Sequence, residues 1–475
     1  LKCTKCIILI TMASKLLKPA PYEAENLLER SLATSFSDLE PMLRPPFRLT
    51  IYNAVEYARL NEGILYGVLT EPQLAKTHIK HLHGIVNDGY AFYVSLTAKL
   101  VTELYDKLLQ SVKIQLLWNV KQIIYALGAG FDGLLVCLLR RVYGGDLSEE
   151  NLWLCYELVN LFLFNWDCFV EEEPVIITSG LYVFLRVLAD HCRVSGDVKF
   201  ESLKNLEIDF CVKVIKEQFH LCMKLGRDFV RLLQDLFHVP QFKSIWKDLV
   251  SSPKDFKVAS FSDISQLYCS RTSSSYFLLR ISPEMESQLR FMMEHVKFGN
   301  HTRHQKWFLR KFLSERGREV TIVDIVRFIC CGHHPPNEIL RSDIIPRWAI
   351  IGWLLQICET QYISSTVKLA LFYDWLFFDD RVDNIMNIEP GMLLIVYSIP
   401  KHINVANSLL DFLLILSESY DVNNKCIVHK GLLSAFNSLV GKQVVNSINV
   451  LTSCSALSPS IKERLEKLLL KSNEV

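Results

Sequence analysis

The residues with the clearest chemical potential lie in a basic segment at 297–318, KFGNHTRHQKWFLRKFLSERGR. Its seven cations stand against a single carboxylate, and they are Lys297, Arg303, Lys306, Arg310, Lys311, Arg316 and Arg318. The aromatic residues between them are Phe298, Trp307, Phe308 and Phe312. Lys and Arg bind phosphates or carboxylates, and aromatic rings stack on bases. This composition is therefore typical of a groove for single-stranded nucleic acid or of a surface for an acidic partner.

A structural interpretation competes with that functional one. Trp307 and Phe308 stand at helical spacing with Leu313, which predicts that these three side chains belong to the core. The Lys and Arg side chains would then form a solvated helix face, with their apolar stems lying along the helix. The pattern favours the structural interpretation and keeps direct nucleic-acid binding as the alternative function.

Other clusters of reactive side chains lack the spacing that a site requires. Cys330 and Cys331 precede a Gly-His-His turn, but adjacent side chains on a helix diverge by about 100° and cannot both aim at one metal ion. The acidic run at 171–173 is typical of an exposed loop, and the run at 379–383 lacks the Gly and the distal Glu of a calcium-binding loop. We therefore expect no metal site and no cofactor.

Catalytic motifs are also absent from the sequence. It contains no nucleotide-binding P-loop, no GxSxG and no HExxH. The Cys-x-x-Cys pair Cys3 and Cys6 lies within residues 1–20, which are predicted to be a non-native or disordered start. The chain is thus expected to be a binding protein and not an enzyme.

The elements that position these residues are predicted to be helices throughout. Apolar residues recur at helical spacing along nearly the whole chain, which indicates an all-α fold. Helix starts every ~20–25 residues indicate antiparallel helix pairs of about 40–50 residues, the size of HEAT or armadillo repeats. We predict a helical-repeat solenoid with an amino-terminal lobe at 21–255 and a carboxy-terminal lobe at 256–475.

Composition indicates a chain that folds throughout in a reducing compartment. Hydrophobic residues make up 50% and charged residues 22%, which excludes long disorder. With 52 Lys and Arg against 51 Asp and Glu, the whole chain is no polycation. Its 14 cysteines lack the spacing of a disulfide framework. The longest apolar runs fall short of the ~20 residues of a membrane span, so no membrane partner is expected.

A Trp-rich block at 343–390 is predicted to organise the second lobe. Helices at 346–357 and 364–378 carry aromatic residues on several sides, so other helices must cover them. Pro346 suits the first turn of the first helix, and Asp343 is its predicted cap. Core packing is the favoured role of these rings, and the alternative is that some of them floor a groove for a partner's apolar side chains.

These patterns also give candidate residues for partner contacts and for an internal ion pair. If the aromatic block forms a groove, Arg347 and Trp348 are the first candidates for partner contact, because Arg and Trp dominate interface hot spots. Lys297, Arg303, Lys306, Arg310 and Lys311 are the testable members of the basic segment. Within GRDFVRLLQ, the sequence favours an internal ion-pair rung over an exposed contact for Arg227, Asp228 and Arg231.

Three long runs stand out in the Trp-rich block: PRWAIIGWLL at 346–355, KLALFYDWLFF at 368–378 and IMNIEP at 385–390. Shorter runs precede them in the order LTEP at 69–72, GGD at 144–146, GRDFVRLLQ at 226–234, WKD at 246–248, SRTS at 270–273 and HPPNEIL at 334–340. In this order the runs resemble the amino-terminal half of the Integrator complex subunit 3 family, whose members also serve as the SOSS-A component of the SOSS (sensor of single-stranded DNA) complex. The resemblance covers residues 69–390.

The resemblance implies a nuclear scaffold, with the cytoplasm as a second location. Its implied partners are an OB-fold single-stranded-DNA-binding protein, a small SOSS-C-like protein and other Integrator subunits. DNA would be held mainly through the OB-fold partner. The implied processes are DNA double-strand-break repair, small nuclear RNA 3′-end processing and transcription termination. The alternative from the residues alone is a helical module that binds single-stranded nucleic acid directly through 297–318.

Overall fold

A computed structural model describes residues 14–19, 26–44, 51, 53–124, 128–315 and 317–470. Within these residues the regular structure is helical, apart from isolated β-bridges that join Leu17 to Leu108 and Lys297 to Ile344. The predicted all-α fold class is confirmed. Cys3, Cys6 and Arg316 lie outside the described residues, as does most of the predicted start at 1–20.

The helices follow one another with short connections. The first are α1 (Leu27–Leu39), α2 (Ala54–Thr70), α3 (Ala75–Ile85), α4 (Ala91–Leu104), α5 (Gln110–Gln122), α6 (Phe131–Leu139), α7 (Glu149–Phe164), α8 (Trp166–Glu172), α9 (Pro174–His191), α10 (Val198–Glu217), α11 (Phe219–Cys222), α12 (Arg227–Asp235) and α13 (Pro240–Ser251). The remainder are α14 (Ser265–Cys269), α15 (Ser274–Leu278), α16 (Pro283–His295), α17 (His301–Phe308), α18 (Thr321–Arg327), α19 (Asn337–Leu340), α20 (Arg347–Gln356), α21 (Gln361–Phe372), α22 (Glu389–Ser398), α23 (Ile403–Ser419), α24 (Lys425–Gly441), α25 (Asn449–Thr452) and α26 (Pro459–Leu470).

The chain forms two compact units. One comprises Leu1–Arg141 with Phe164–Ile176, and the other comprises Val142–Leu163 with Ile177–Val475. The division predicted between residues 255 and 256 stays a prediction.

In the first unit α2 is the central helix. It contacts α1, α3, α4 and α5, and α4 also contacts α6. The α2 helix begins after Asn53, whose side chain accepts hydrogen bonds from the N–H groups of Val55 and Glu56. This N-cap satisfies two donors that have no partner within the helix. The acidic residues Glu171 and Glu172 form the last turn of α8, so the predicted loop at this position is wrong for two of its three residues.

In the second unit neighbouring helices pack in series. The α20 helix contacts α22, α22 contacts α23, α23 contacts α24, and both α23 and α24 contact α26. Two further elements matter for the site: π-helical turns at Leu309–Leu313 and Phe328–Gly332 extend α17 and α18, respectively. A 3₁₀ turn at Tyr373–Phe377 follows α21 and packs under α24. The predicted second helix at 364–378 is therefore α21 plus this tighter turn.

Among the helices that the structure describes, α9 alone has the length and hydropathy that a membrane span would need. Over its 18 residues the mean hydropathy is 1.2, and 89% of the segment is buried inside the protein. Burial of this extent is what the core helix of a globular fold shows.

Candidate binding groove

The second unit contains an open groove with a volume of about 940 Å³. Its floor is α20, and its walls come from α17, α22, the first turn of α23 and the segment at 335–346, which includes α19. The bridge between Lys297 and Ile344 fixes the end of this segment beside the start of α17, with the Ile345 N–H donating to the Val296 carbonyl at 2.8 Å. A groove of this size lies in the range of ligand and peptide sites, roughly 300–1,000 Å³.

Four aromatic rings line the groove in a continuous series, which we call the aromatic ladder: His301, Phe298, Trp348 and Tyr397. The His301 and Phe298 ring centroids lie 5.2 Å apart, Phe298 meets Trp348 edge to face at 6.0 Å, and Trp348 stacks on Tyr397 at 4.9 Å. Phe298 is 52% exposed and Tyr397 is 56% exposed. Apolar rings this accessible inside a concavity suit the burial of a partner's side chains.

Close packing on both sides holds the groove floor in place. A Cβ atom on Gly352 would lie 2.9 Å from Leu394 Cδ1, so the glycine lets α20 approach α22. On the other side, the Trp353 ring meets the Phe308 ring of α17 edge to face at 6.3 Å. The α20 helix is thus wedged between α17 and α22, which keeps Trp348 at the groove surface.

Arg347, a predicted contact residue, lies beneath that surface. Its side chain is 2% exposed and donates to the Ile329 carbonyl at 3.1 Å and to Glu389 Oε2 at 2.6 Å. Burial raises the pKa of Glu389, and the Arg347 guanidinium opposes this rise. Because its donors reach inward, Arg347 ties α20 to α22 and to the π-helical turn Phe328–Gly332.

Asp343 does not cap α20 as predicted. The N-cap residue is Pro346, in extended conformation and without a side-chain cap hydrogen bond. The Asp343 carboxylate instead pairs with Lys297 Nζ at 2.8 Å, across the bridge at the groove rim. A hydrogen bond from Lys297 is the largest cause of the lowered pKa of Asp343. At the opposite rim, Lys401 and His402 are exposed lining residues.

Within the described part of the basic segment 297–318, some cations have a carboxylate partner and others have none. Lys311 lies 3.8 Å from a Glu284 carboxylate oxygen, and Arg318 lies 2.7 Å from an Asp146 carboxylate oxygen. Among the described residues no such pair is formed by the exposed Arg303, Lys306 and Arg310.

The predicted core role of Trp307 is wrong, whereas Phe308 and Leu313 are buried as expected. The α17 helix buries the face that carries Phe308 and Gln305, and Trp307 is 47% exposed. One residue along a helix turns the side chain by about 100°, and because α17 is buried on one face only, Trp307 points away from the core that Phe308 enters.

Beneath the groove the second unit contains an extensive buried ion-pair network, and the predicted internal rung is confirmed as part of it. Arg231 Nε donates to Asp228 at 2.9 Å, and Arg227 reaches Asp383 at 3.0 Å and Asp374 at 3.3 Å. Burial would raise the pKa of Asp374, but Arg327 and Arg227 outweigh that effect and hold it below its usual value. The acidic run at 379–383 thus supplies a structural counter-ion, Asp383.

The Cys-His cluster belongs to the same interior. Cys330 and Cys331 are buried free thiols, as predicted, and Cys331 Sγ donates to Asp374 at 3.2 Å. His333 pairs with Glu294 at 2.9 Å, and His334 Nε2 donates to the Cys330 carbonyl at 2.9 Å. Across the described residues, no group of three or more His, Cys, Asp or Glu side chains is arranged to hold a metal ion.

Sequence reasoning found Trp348 as a groove residue but missed Tyr397 and His301. Tyr397 stands 49 positions after Trp348, in an apolar run that reads as core. No local pattern pairs two rings so far apart, because their contact depends on how α20 packs on α22.

Fold and groove together define the class: an all-α helical-repeat protein with an open groove lined by aromatic residues, and with no recognisable catalytic motif in its sequence. The family model for the amino-terminal region of Integrator complex subunit 3 matches residues 55–467. Integrator complex subunit 3 of Mus musculus is 35% identical over 405 residues, covering 85% of this chain and 38% of that protein. The homologue from Drosophila mojavensis is 36% identical, covering 94% of this chain and 41% of that protein. This chain belongs to the Integrator complex subunit 3 family.

A similar partial match is found with a relative from a slime mould. The homologue from Dictyostelium discoideum is 37% identical over 411 residues, covering 85% of this chain and 27% of that protein. The chain therefore spans about two fifths of the mouse and fly relatives, and about a quarter of the Dictyostelium one.

Proposed function

We propose that this chain is a scaffold subunit that holds partner proteins in an Integrator-type complex. The relatives it matches are named as subunits of the Integrator complex, and the family match spans most of the chain. The proposal assigns no catalytic step to the chain. Its role is to bind other subunits and to fix their relative positions.

The observation that carries the proposal is the aromatic ladder. A helical-repeat protein binds other proteins along grooves between its helices, and aromatic side chains in such grooves supply most of the binding energy. Phe298, Trp348 and Tyr397 together offer three rings to a partner within one concavity. Trp348 is therefore the central predicted contact, and Arg347 acts through it by fixing α20.

The finer assignment rests on the family resemblance. The partners would be an OB-fold single-stranded-DNA-binding protein and a small helical SOSS-C-like protein, with other Integrator subunits as further partners. The OB-fold partner would hold DNA and this chain would be the platform. The complex would act in the nucleus, in DNA double-strand-break repair, small nuclear RNA 3′-end processing and transcription termination.

A binding measurement with groove variants tests the proposal. The purified OB-fold protein and the small helical protein from the same source are titrated onto the chain in a calorimeter. The double variant Phe298→Ala, Tyr397→Ala is expected to weaken binding by about 30-fold or more, because loss of hot-spot rings costs at least about 2 kcal/mol. Both side chains are more than half exposed, so the variant should fold normally.

The matched control is Phe164→Ala, since Phe164 is 91% exposed and does not line the groove. Its affinity should equal that of the parent chain. If the chain captures neither protein, the scaffold assignment is wrong. If it captures them and the double variant binds as well as the control, the groove is not their site.

A further inference from the structure

A row of exposed side chains, the basic stripe, follows α17 into its π-helical turn: Arg303, Lys306, Trp307 and Arg310. Relative to Arg303 they stand at positions i+3, i+4 and i+7, which share one helix face. The opposite face buries Gln305 and Phe308. None of the four stripe residues lines the aromatic groove, so the stripe is a second surface.

The stripe cations are not neutralised within the described part of the chain. Lys297, Lys311 and Arg318 at its ends each have a carboxylate within 4 Å, whereas the three stripe cations have none. From Arg303 to Arg310 the stripe extends about 10 Å along the helix axis. Three adjacent uncompensated cations attract a polyanion and release its counterions on binding.

Trp307 distinguishes the stripe from an ordinary solvated helix face. It is 47% exposed, and Phe312 is its aromatic neighbour, 5.9 Å away and nearly perpendicular. Solubility requires no tryptophan between cations on a helix surface, and an acidic peptide would be bound by the cations alone. A strand of nucleic acid uses both kinds of side chain, because its phosphates bind Lys and Arg while its bases stack on aromatic rings.

We propose that the basic stripe binds single-stranded nucleic acid directly, with Arg303, Lys306 and Arg310 on successive phosphates and Trp307 stacked on a base. This surface belongs to the chain alone and requires no protein partner. It goes beyond the scaffold function, in which DNA is held mainly by another protein. Because it is measured with the chain by itself, its failure leaves the scaffold proposal untouched.

The test is fluorescence anisotropy of labelled oligo-dT and oligo-rU of about 20 nucleotides, titrated with the full chain. Three phosphate contacts predict that the logarithm of the association constant falls against the logarithm of salt concentration with a slope of about −2, measured from roughly 50 to 200 mM. Binding of either oligonucleotide supports the proposal, and the preferred one identifies DNA or RNA as the ligand.

The stripe variant Arg303→Glu, Lys306→Glu, Arg310→Glu should lose at least about tenfold in affinity and most of the salt dependence. The matched control is Lys243→Glu, Lys247→Glu, Lys254→Glu, since these exposed lysines on and after α13 give the same change in net charge. The control should lose affinity far less than the stripe variant. Equal losses in both would overturn the proposal, because net charge alone would then explain binding.

Trp307 provides the test of strand recognition. Trp307→Ala should weaken oligonucleotide binding by about tenfold, and Trp307→Phe should restore part of it, because phenylalanine still stacks. Polyglutamate serves as the acidic-peptide competitor. If polyglutamate binds as tightly as oligo-dT and Trp307→Ala changes neither affinity, the stripe is a protein contact and the proposal is wrong. Absence of oligonucleotide binding at the lowest salt would also overturn it.

Discussion

The two halves of the Trp-rich block 343–390 are both rich in aromatic and apolar residues, but they have different surroundings. In the second half, Phe372, Tyr373 and Trp375 are fully buried, and the Trp375 ring packs edge to face on Phe436 of α24 at 5.5 Å. In the first half, Trp348 and Trp353 line the open groove. The second half is sealed by a covering helix, whereas the first half has no helix on its outer side within the described part of the chain.

The contrast shows that the number of aromatic residues does not separate core from site. The sealed half is held in place by buried hydrogen bonds, such as the one that the Tyr373 hydroxyl donates to the Arg227 carbonyl at 2.6 Å. The open half is held from below, by Arg347, and presents its rings outward. Both halves contain buried, hydrogen-bonded polar groups, so the feature that distinguishes the half that can bind is its uncovered aromatic rings.

The largest expected effect is a loss of stability when the buried ion-pair network of the sealed half is disrupted. Asp374→Asn removes the charge that Arg227 and Arg327 share, and both guanidinium groups are almost fully buried. Each arginine retains a second carboxylate, Asp383 for Arg227 and Asp228 for Arg327. The buried network is nevertheless left with one excess positive charge. Removing one partner from a buried ion pair costs about 3–5 kcal/mol, so the free energy of unfolding should fall by up to that amount. The measurement is urea denaturation followed by Trp fluorescence.

The control for this variant is Asp411→Asn. Asp411 makes a partly exposed ion pair with Arg464, and such pairs contribute about 0–1 kcal/mol. Groove binding should be retained by folded Asp374→Asn protein, because Asp374 does not line the groove. Similar losses of stability in the two variants would contradict the assignment of the sealed half as the stabilising one.

A smaller loss of stability is expected when an added side chain pushes α24 away from the sealed half. A Cβ atom on Gly431 of α24 would lie 2.3 Å from the Leu376 carbonyl oxygen, and backbone atoms cannot rotate aside. Gly431→Ala should therefore lower the free energy of unfolding by about 1–3 kcal/mol through overpacking. The control is Gly441→Ala at the end of the same helix, where a Cβ would meet nothing within 4 Å. If Gly431→Ala were as stable as the control, α24 would not seal the block as tightly as described.

Much of this fold could be predicted from the sequence because helical periodicity is a local signal. The all-α class follows from apolar spacing, and the rung of Arg227, Asp228 and Arg231 follows from opposite charges placed three positions apart on a helix. Asp374 and Asp383, which complete the rung, lie about 150 residues away in sequence. No periodicity connects them, so the network could be found only from the folded structure.

The candidate site was predictable only in part, and for the same reason. Trp348 was a candidate because tryptophan is frequent among interface hot spots, but its exposure depends on α22 and on the segment at 335–346. Arg347 was chosen by the same reasoning and is buried, since one step along α20 turns its side chain from the groove to the interior. The sequence was enough to predict the α20 helix, but the packing of neighbouring elements determines which of its side chains face the groove.

The smallest effect concerns pH and a histidine next to the groove wall. His334 lies between Cys330 of the interior and Pro335 of the groove wall, and burial lowers the pKa of His334 below 6.5. The unfolded chain therefore binds a proton at His334 near pH 6.5, whereas the folded chain keeps this side chain neutral, so the free energy of unfolding falls as the pH drops below that value.

The variant His334→Gln keeps an N–H donor but cannot titrate. It should reduce the loss of unfolding free energy between about pH 7.5 and 5.5 by about 1 kcal/mol or less, measured by urea denaturation at both pH values. An identical loss in the parent and the variant would show that His334 is not held neutral in the folded chain, and the burial of this side chain would then make no contribution to the pH dependence of stability.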